Sequence, residues 1–501
     1  MVTRARRAAV AIFLGIVVAG CSAPTPPPVP SPAARVETSP ASPGPVPPPS
    51  QEPSPDQVGL GTDRPRRSAE VVAAGAADAV YNYAPTLMVD EGRYRMWWCS
   101  QLGGAGPPGD DILLGDAPSP DGPYGNPLSA VFSGNPGSFD GMHTCDPSVI
   151  RVGGTYYLYY TGAAGNHANG NAIGLATSPD GRTWTRANDG KPIVTSSRDV
   201  IRANTYGAGQ PAVVHLDGWF YLMFTDTTGK AAGWNGAGQF VIRAKDPTFV
   251  TGVELLSPGG FRKANGTADR LRSVVDAFSV DFMWVDALDA FAIAHETQDG
   301  TTITFWDRDF RRAPYLPVLI PGPWQEGPGL VRDPEGHSPR SVEAPCDRVP
   351  VDLVRATRTL DAPTDLTHFG ADLTGTRACA DPDRALRALE GYAVPSPQRT
   401  IDLIRDGRVV RVERRSVAER LAVRVLDERV VALDTVPVAA RLSAAATAVR
   451  AGARVGFVLD DDRLWTIPDP AVATLNSSTI ATVTQGQFDS YERGPDLAAA
   501  R

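Results

Sequence analysis

Cys145-Asp146-Pro147-Ser-Val-Ile-Arg-Val-Gly153-Gly154-Thr-Tyr156-Tyr-Leu158-Tyr-Tyr160-Thr161 reads as a strand, a glycine turn and a returning strand rich in aromatic residues. The same pattern stands at Pro85 to Trp98, with turn glycine Gly92, and at Pro211 to Phe224, with Gly218, at identical offsets from the proline. The prolines are 62 and 64 residues apart, and a looser fourth copy follows 71 residues on, with Phe282 in the proline's place. After each of the first three hairpins come a further strand and turn, for example Ile112-Leu-Leu-Gly115 followed by Ser119-Pro-Asp-Gly122. Each unit therefore has room for four antiparallel strands. A period near 65 residues in such units predicts a β-propeller, whose radial repetition leaves only short edges. A fifth unit, without the aromatic hairpin, is expected from about residue 324 to 360.

Outside the repeats the composition changes. Arg4, Arg6 and Arg7 precede an apolar run from Ala8 to Val18 that is too short to span a bilayer, followed by Val18-Ala19-Gly20-Cys21. That stretch resembles the lipobox of bacterial lipoproteins, which implies cleavage before Cys21 and a lipid on its thiol. The expected organisation is a signal peptide over 1–20, a Pro-rich disordered stalk over 21–66, the propeller over 67–360, a connecting segment over 361–394 and a small duplicated α+β module over 395–501. In the last, Asp406-Gly-Arg408-Val-Val-Arg-Val412 can be laid on Asp461-Asp-Arg463-Leu-Trp-Thr-Ile467, 55 residues on. The expected location is the extracytoplasmic face of the cell membrane, held through the lipid. Loss of residues 1–20 takes the formal charge from −8 to −11, which argues against a nucleic-acid partner. Cys99, Cys145, Cys346 and Cys379 are even in number and suit two disulfides in an oxidising compartment.

Cys145-Asp-Pro-Ser-Val to Thr161, with Tyr206-Gly-Ala-Gly-Gln-Pro-Ala-Val-Val and Phe224-Thr-Asp-Thr227, resembles the five-bladed propellers of the glycoside hydrolase family 43 and family 32 superfamily, over roughly residues 75–345. The resemblance implies an all-β, five-bladed fold, a polysaccharide ligand of arabinan, xylan or other wall-glycan type, and hydrolysis between two carboxyl groups. Of the family's three acids one matches, as Asp146, while Ala84 and Gln210 occupy the other two positions.

Hairpin register places the residue before each proline and the end of the returning strand at one end of a central funnel. This nominates Asp146, Asp281 and Glu296 as catalytic and His143, Tyr206, Gln210, Asp226 and His295 as substrate-binding, with Asp140 and Trp97 nearby. By the same register Cys99 and Cys145 meet on neighbouring blades, and Cys346 and Cys379 could staple the join to the C-terminal module. No cofactor or metal is expected, and a monomer is. The alternative is a propeller that binds a glycan without cutting it. A phosphorolytic variant would need a cationic site, for which Arg202 is the candidate.

Overall fold

The computed structural model describes residues 56–75, 81–102, 108–125, 129–165, 170–359 and 362–498. The expected signal peptide, Cys21 and most of the stalk lie outside them. No helix among the described residues is long and apolar enough to cross a membrane.

The chain is mostly β, in several small sheets. The repeated glycines have a common cause. Glu91-Gly92, Gly153-Gly154 and Asp217-Gly218 all have positive φ, so each closes a two-residue turn whose twist matches the flanking strands. The looser fourth copy turns instead through four residues between Val285 and Ala290.

After β1 (Gly61–Arg67) come β2 (Tyr83–Asp90), β3 (Arg93–Ser100) and β4 (Asp111–Ala117), then β5 (His143–Val152), β6 (Thr155–Ala163), β7 (Ala172–Ser178) and β8 (Thr185–Arg186). A five-stranded sheet follows: β9 (Ala208–Leu216), β10 (Trp219–Asp226), β11 (Gln239–Ala244), β12 (Glu254–Ser257) and β13 (Gly260–Lys263). Next are β14 (Val280–Val285), β15 (Ala290–Thr297), β16 (Gly300–Trp306) and β17 (Val318–Pro321), and then β18 (Glu326–Arg332), β19 (Arg348–Thr359) and β20 (Pro363–Thr374). β18 pairs in parallel with β2, and β1 closes the far edge on β20, giving a seven-stranded sheet in the order β1-β20-β19-β18-β2-β3-β4. Two expected boundaries therefore move. The fold already includes residues 61–67, and a limit at 360 would cut the β19–β20 hairpin.

The first strands β2, β5, β9, β14 and β18 neighbour one another in a closed circuit. Apolar clusters fill every gap in that circuit: Trp97 with Leu158, Tyr159 with Leu222, Tyr221 with Trp284, Phe305 with Leu353, and Trp98 with Val354. Trp97 and Trp98 are both fully buried, so Trp97 is core and no rim aromatic. On the axis lies Arg332. It donates to Val213 O (3.0 Å), Phe282 O (3.1 Å), Thr86 Oγ1 (2.8 Å) and Ser148 Oγ (3.4 Å), and pairs with Asp281 at 3.0 Å. It thus touches all four other first strands. Beyond it, residues 333–337 accept from the backbone N–H groups of Arg151, His215 and Trp284, closing one end of the circuit.

The C-terminal elements recur with a 55-residue offset. Ala393 pairs with Leu403 and Val425, and Ala448 with Phe457 and Ile480. Arg415–Leu421 and Pro470–Leu475 are the corresponding helices. The two copies share one core, including Val410, Leu421, Phe457 and Trp465. Disulfides join Cys99 to Cys145 and Cys346 to Cys379.

Candidate functional site

The open end of the circuit is where the first strands begin, and the backbone is strained there. Ala84, Asp146 and Gln210, each followed by proline, have φ of 45°, 46° and 51°. Each also sits in a register shift of its hairpin. Left-handed backbone at non-glycine residues costs of order 1–3 kcal/mol, and bulges re-aim side chains; both concentrate at functional sites. Proline fits because a bulge leaves its missing N–H without a ladder partner to disappoint.

Around this mouth the structure gathers Tyr83, Asp110, Asp146, Tyr206, Gln210, Glu296 and Glu326. The Tyr206 hydroxyl donates to Asp146 Oδ2 (3.0 Å). Its close approach depends on Gly209, where a Cβ would lie 2.5 Å from the Tyr206 Oη. The Gln210 backbone N–H donates to Thr161 Oγ1 (2.7 Å), and its Nε2 reaches Glu326 Oε1 at 3.5 Å. Glu296 is held through Oε2 by Thr301 (2.9 Å) and by the fully buried Arg355 (3.7 Å). Its side chain is only 6% exposed. Glu296 Oε1 and Gln210 Oε1 are buried without a hydrogen-bond partner among the described residues.

Burial dominates the electrostatics. It pushes Asp146 up to about 6 against the opposing hydrogen bonds of Thr161 and Tyr206. It pushes Glu296 up to about 7, opposed by Arg355 and Thr301. Glu326 rises to about 8, through burial and then the like charges of Asp146 and Glu296. Burial holds His295 down at about 4, and raises the Tyr83 and Tyr206 hydroxyls well above their ordinary range. Three carboxyls in one field, with separated affinities for the proton, form an acid and base set.

Glu326 escaped the sequence reading, although Glu326-Gly327-Pro328 was the signal to find. The acid there stands one residue before the equivalent bulge position because Gly327 admits no side chain: a Cβ would lie 1.9 Å from Ser279 Oγ.

Of the nominated residues, Asp146, Glu296, Tyr206 and Gln210 come together. His143 reaches the mouth through Asp110, its Nδ1 lying 3.0 Å from the Asp110 Oδ2. His295 is buried on β15 beside Glu296. Asp281 is engaged within the ring instead, where it accepts from the Leu330 (2.8 Å) and Phe282 (2.9 Å) N–H groups and pairs with Arg332. Asp226 accepts from the Ser197 and Thr228 N–H groups and pairs with buried Arg270 at 2.9 Å. Asp140 is bound by Tyr160 and Arg186. Arg202 spends its guanidinium on the Thr227, Gly229 and Ala232 carbonyls, so it is no phosphate clamp. Cys99, Cys145 and Asp110 have metal-like spacing, but both sulfurs are in the disulfide and cannot ligate as thiolates. An open hollow of about 750 Å³ beside Trp219 and Lys245, on the outer part of the β9–β13 sheet, lacks such an acid set.

The raised carboxyls make stability fall with rising pH. An unfolded Glu releases its proton near 4.5, whereas folded Glu326 holds it to about 8. Between those values the folded state binds more protons, so stability is fully present below about 4.5 and declines toward pH 8. Chemical denaturation of Glu326→Gln at pH 5 and pH 8 is expected to show a smaller decline than wild type. An equal decline would remove Glu326 as its source.

No protein-family model matches the chain. The uncharacterized proteins MT1551 and Rv1502 of Mycobacterium tuberculosis are 33% identical over 115 residues, 23% of this chain. The match spans 37% of their own length. Similar solved structures include a family 117 glycoside hydrolase of Zobellia galactanivorans, with TM-score 0.43, 13% identity, and coverage of 63% of this chain and 92% of that one. An α-L-arabinofuranosidase of Podospora anserina in complex with cellotriose gives TM-score 0.38 at 11% identity, covering 62% of this chain and 97% of that one.

Proposed function

We propose that the protein is a five-bladed β-propeller glycoside hydrolase of the cell envelope, acting on a wall or surface polysaccharide. The closed circuit of β2, β5, β9, β14 and β18 supports the five blades. The observation that carries the activity is the set of three proton-retaining carboxyls at the mouth of that circuit.

Glu326, raised the furthest, serves as the general acid that protonates the departing glycosidic oxygen. Asp146, lowest of the three and oriented by Tyr206, serves as the base or nucleophile. Glu296 sustains the proton on Glu326 by like charge, and its free Oε1, with Gln210 Oε1, accepts from sugar hydroxyls. Asp281 takes no part in this assignment, because Arg332 and two backbone N–H groups occupy its carboxylate.

Release of reducing sugar from arabinan and xylan panels by the purified protein tests the reading. Wild type is expected to cut at least one polymer, and Asp146→Asn to bind it without cutting. Binding by both with release by neither would leave a glycan-binding propeller.

The residues around Cys21 support attachment by lipid. In cell fractionation, Cys21→Ser is expected to move the protein from the membrane to the soluble fraction; retention in the membrane would refute the anchor.

A further inference from the structure

The segments 197–206 and 227–238 are bound to one another at the mouth. β10 ends at Asp226, opposite Ala208, so both segments leave from the end at which Asp146 and Gln210 lie. Thr227 donates its N–H to Gly207 O (3.0 Å), and Gly207 returns its N–H to Thr227 Oγ1 (2.9 Å). Arg202 gathers three carbonyls of the second segment.

At the crest is the tight turn Trp234–Gly236, with Asn235 and Gly236 at φ of 49° and 84°. Gly233 and Ala237 close it by a 2.7 Å backbone hydrogen bond. On it stands Trp234, 59% exposed. Asn204 joins this turn to the acid site. Its Nδ2 donates to Asn235 O (3.2 Å), while its Oδ1 accepts from the backbone N–H of Tyr206 (3.1 Å), the residue whose hydroxyl holds Asp146.

A large indole exposed on so fully bonded a turn is unusual, because burying it would recover apolar area. Ile201, fully exposed beside Arg202, extends the apolar surface. Whatever covers them must meet the protein in continuity with the carboxyl site. A sugar ring suits this place, since its apolar C–H face lies on an aromatic face while its hydroxyls stay in water.

We propose that Trp234 is a stacking platform for a sugar unit beyond the cleavage point, so that the rim between β10 and β11 is an outer subsite for a chain. This rests on the glycan reading above and adds to it that the ligand is an oligomer or polymer. Asn204 is the positioning residue, since it fixes the turn relative to Tyr206.

The test is calorimetric titration of the full chain with arabino- and xylo-oligosaccharides of increasing length. Trp234→Ala is expected to weaken the longest binding oligosaccharide about tenfold while leaving the corresponding monosaccharide unchanged, and Trp234→Phe to restore most of the loss. Equal affinity of wild type and Trp234→Ala for every oligosaccharide overturns the platform alone. Failure of wild type to bind any of them overturns the glycan reading, and the platform with it. Flotation with phosphatidylglycerol vesicles separates a membrane role: if Trp234→Ala abolishes vesicle binding and leaves oligosaccharide binding intact, the indole serves a lipid surface and the proposal is wrong.

Discussion

Glu326→Gln is expected to lower kcat/KM on a natural polysaccharide by about 10²–10⁴-fold, the usual contribution of a positioned acid or base. The sign of the pH dependence follows from the two carboxyls. A base must be ionised, so activity should rise as Asp146 deprotonates near 6. An acid must keep its proton, so activity should fall as Glu326 ionises near 8. Wild type is thus expected to peak near pH 7. Glu326→Gln should lose the alkaline limb and recover much of its rate on an aryl glycoside whose leaving group needs no protonation. Asp146→Asn should recover nothing on the same substrate. If both variants respond alike to the activated substrate, the two roles are not divided as assigned. Asp281→Asn supplies the contrast, because its carboxylate is bound within the ring by Arg332. It is expected to cost stability and leave the pH profile in place.

Arg332→Met is expected to destabilise the protein by about 3–5 kcal/mol, the range for breaking a buried pair and stranding its partner. The guanidinium holds contacts to β2, β5, β9 and β14 at once, and its loss leaves Asp281 with backbone donors alone. Removing the stranded charge as well, in Arg332→Met with Asp281→Asn, should restore part of the loss, since the two residues are directly coupled. Equilibrium urea unfolding measures both. A loss below about 1 kcal/mol for the single variant would show that the apolar clusters between sheets close the circuit without this hub.

The hairpins were legible for a local reason. Two consecutive residues of positive φ are needed to turn one strand back on the next, and Glu91-Gly92, Gly153-Gly154 and Asp217-Gly218 declare them at fixed offsets from proline. Register then carried the reading further, bringing Cys99 to Cys145 and Asp146 to the mouth. The less regular β18 broke this logic. With a parallel pairing to β2 and a bulge occupied by Gly327, its acid moved to position 326, where no offset from the other repeats points.

The primary structure therefore determined the repeat, its turns, the duplicated C-terminal module and the presence of an acid at Asp146, because each depends on neighbours within a few residues or on recurrence along the chain. Only the tertiary structure decided which acids remain available for chemistry. Asp281, Asp226 and Asp140 look equal to Asp146 in the sequence, but Arg332, Arg270 and Arg186 reach them through space and take up their charge. Asp146 and Glu326 have no arginine paired to them among the described residues, and burial raises both. That difference arises from long-range ion pairing and desolvation, which chain order does not encode locally.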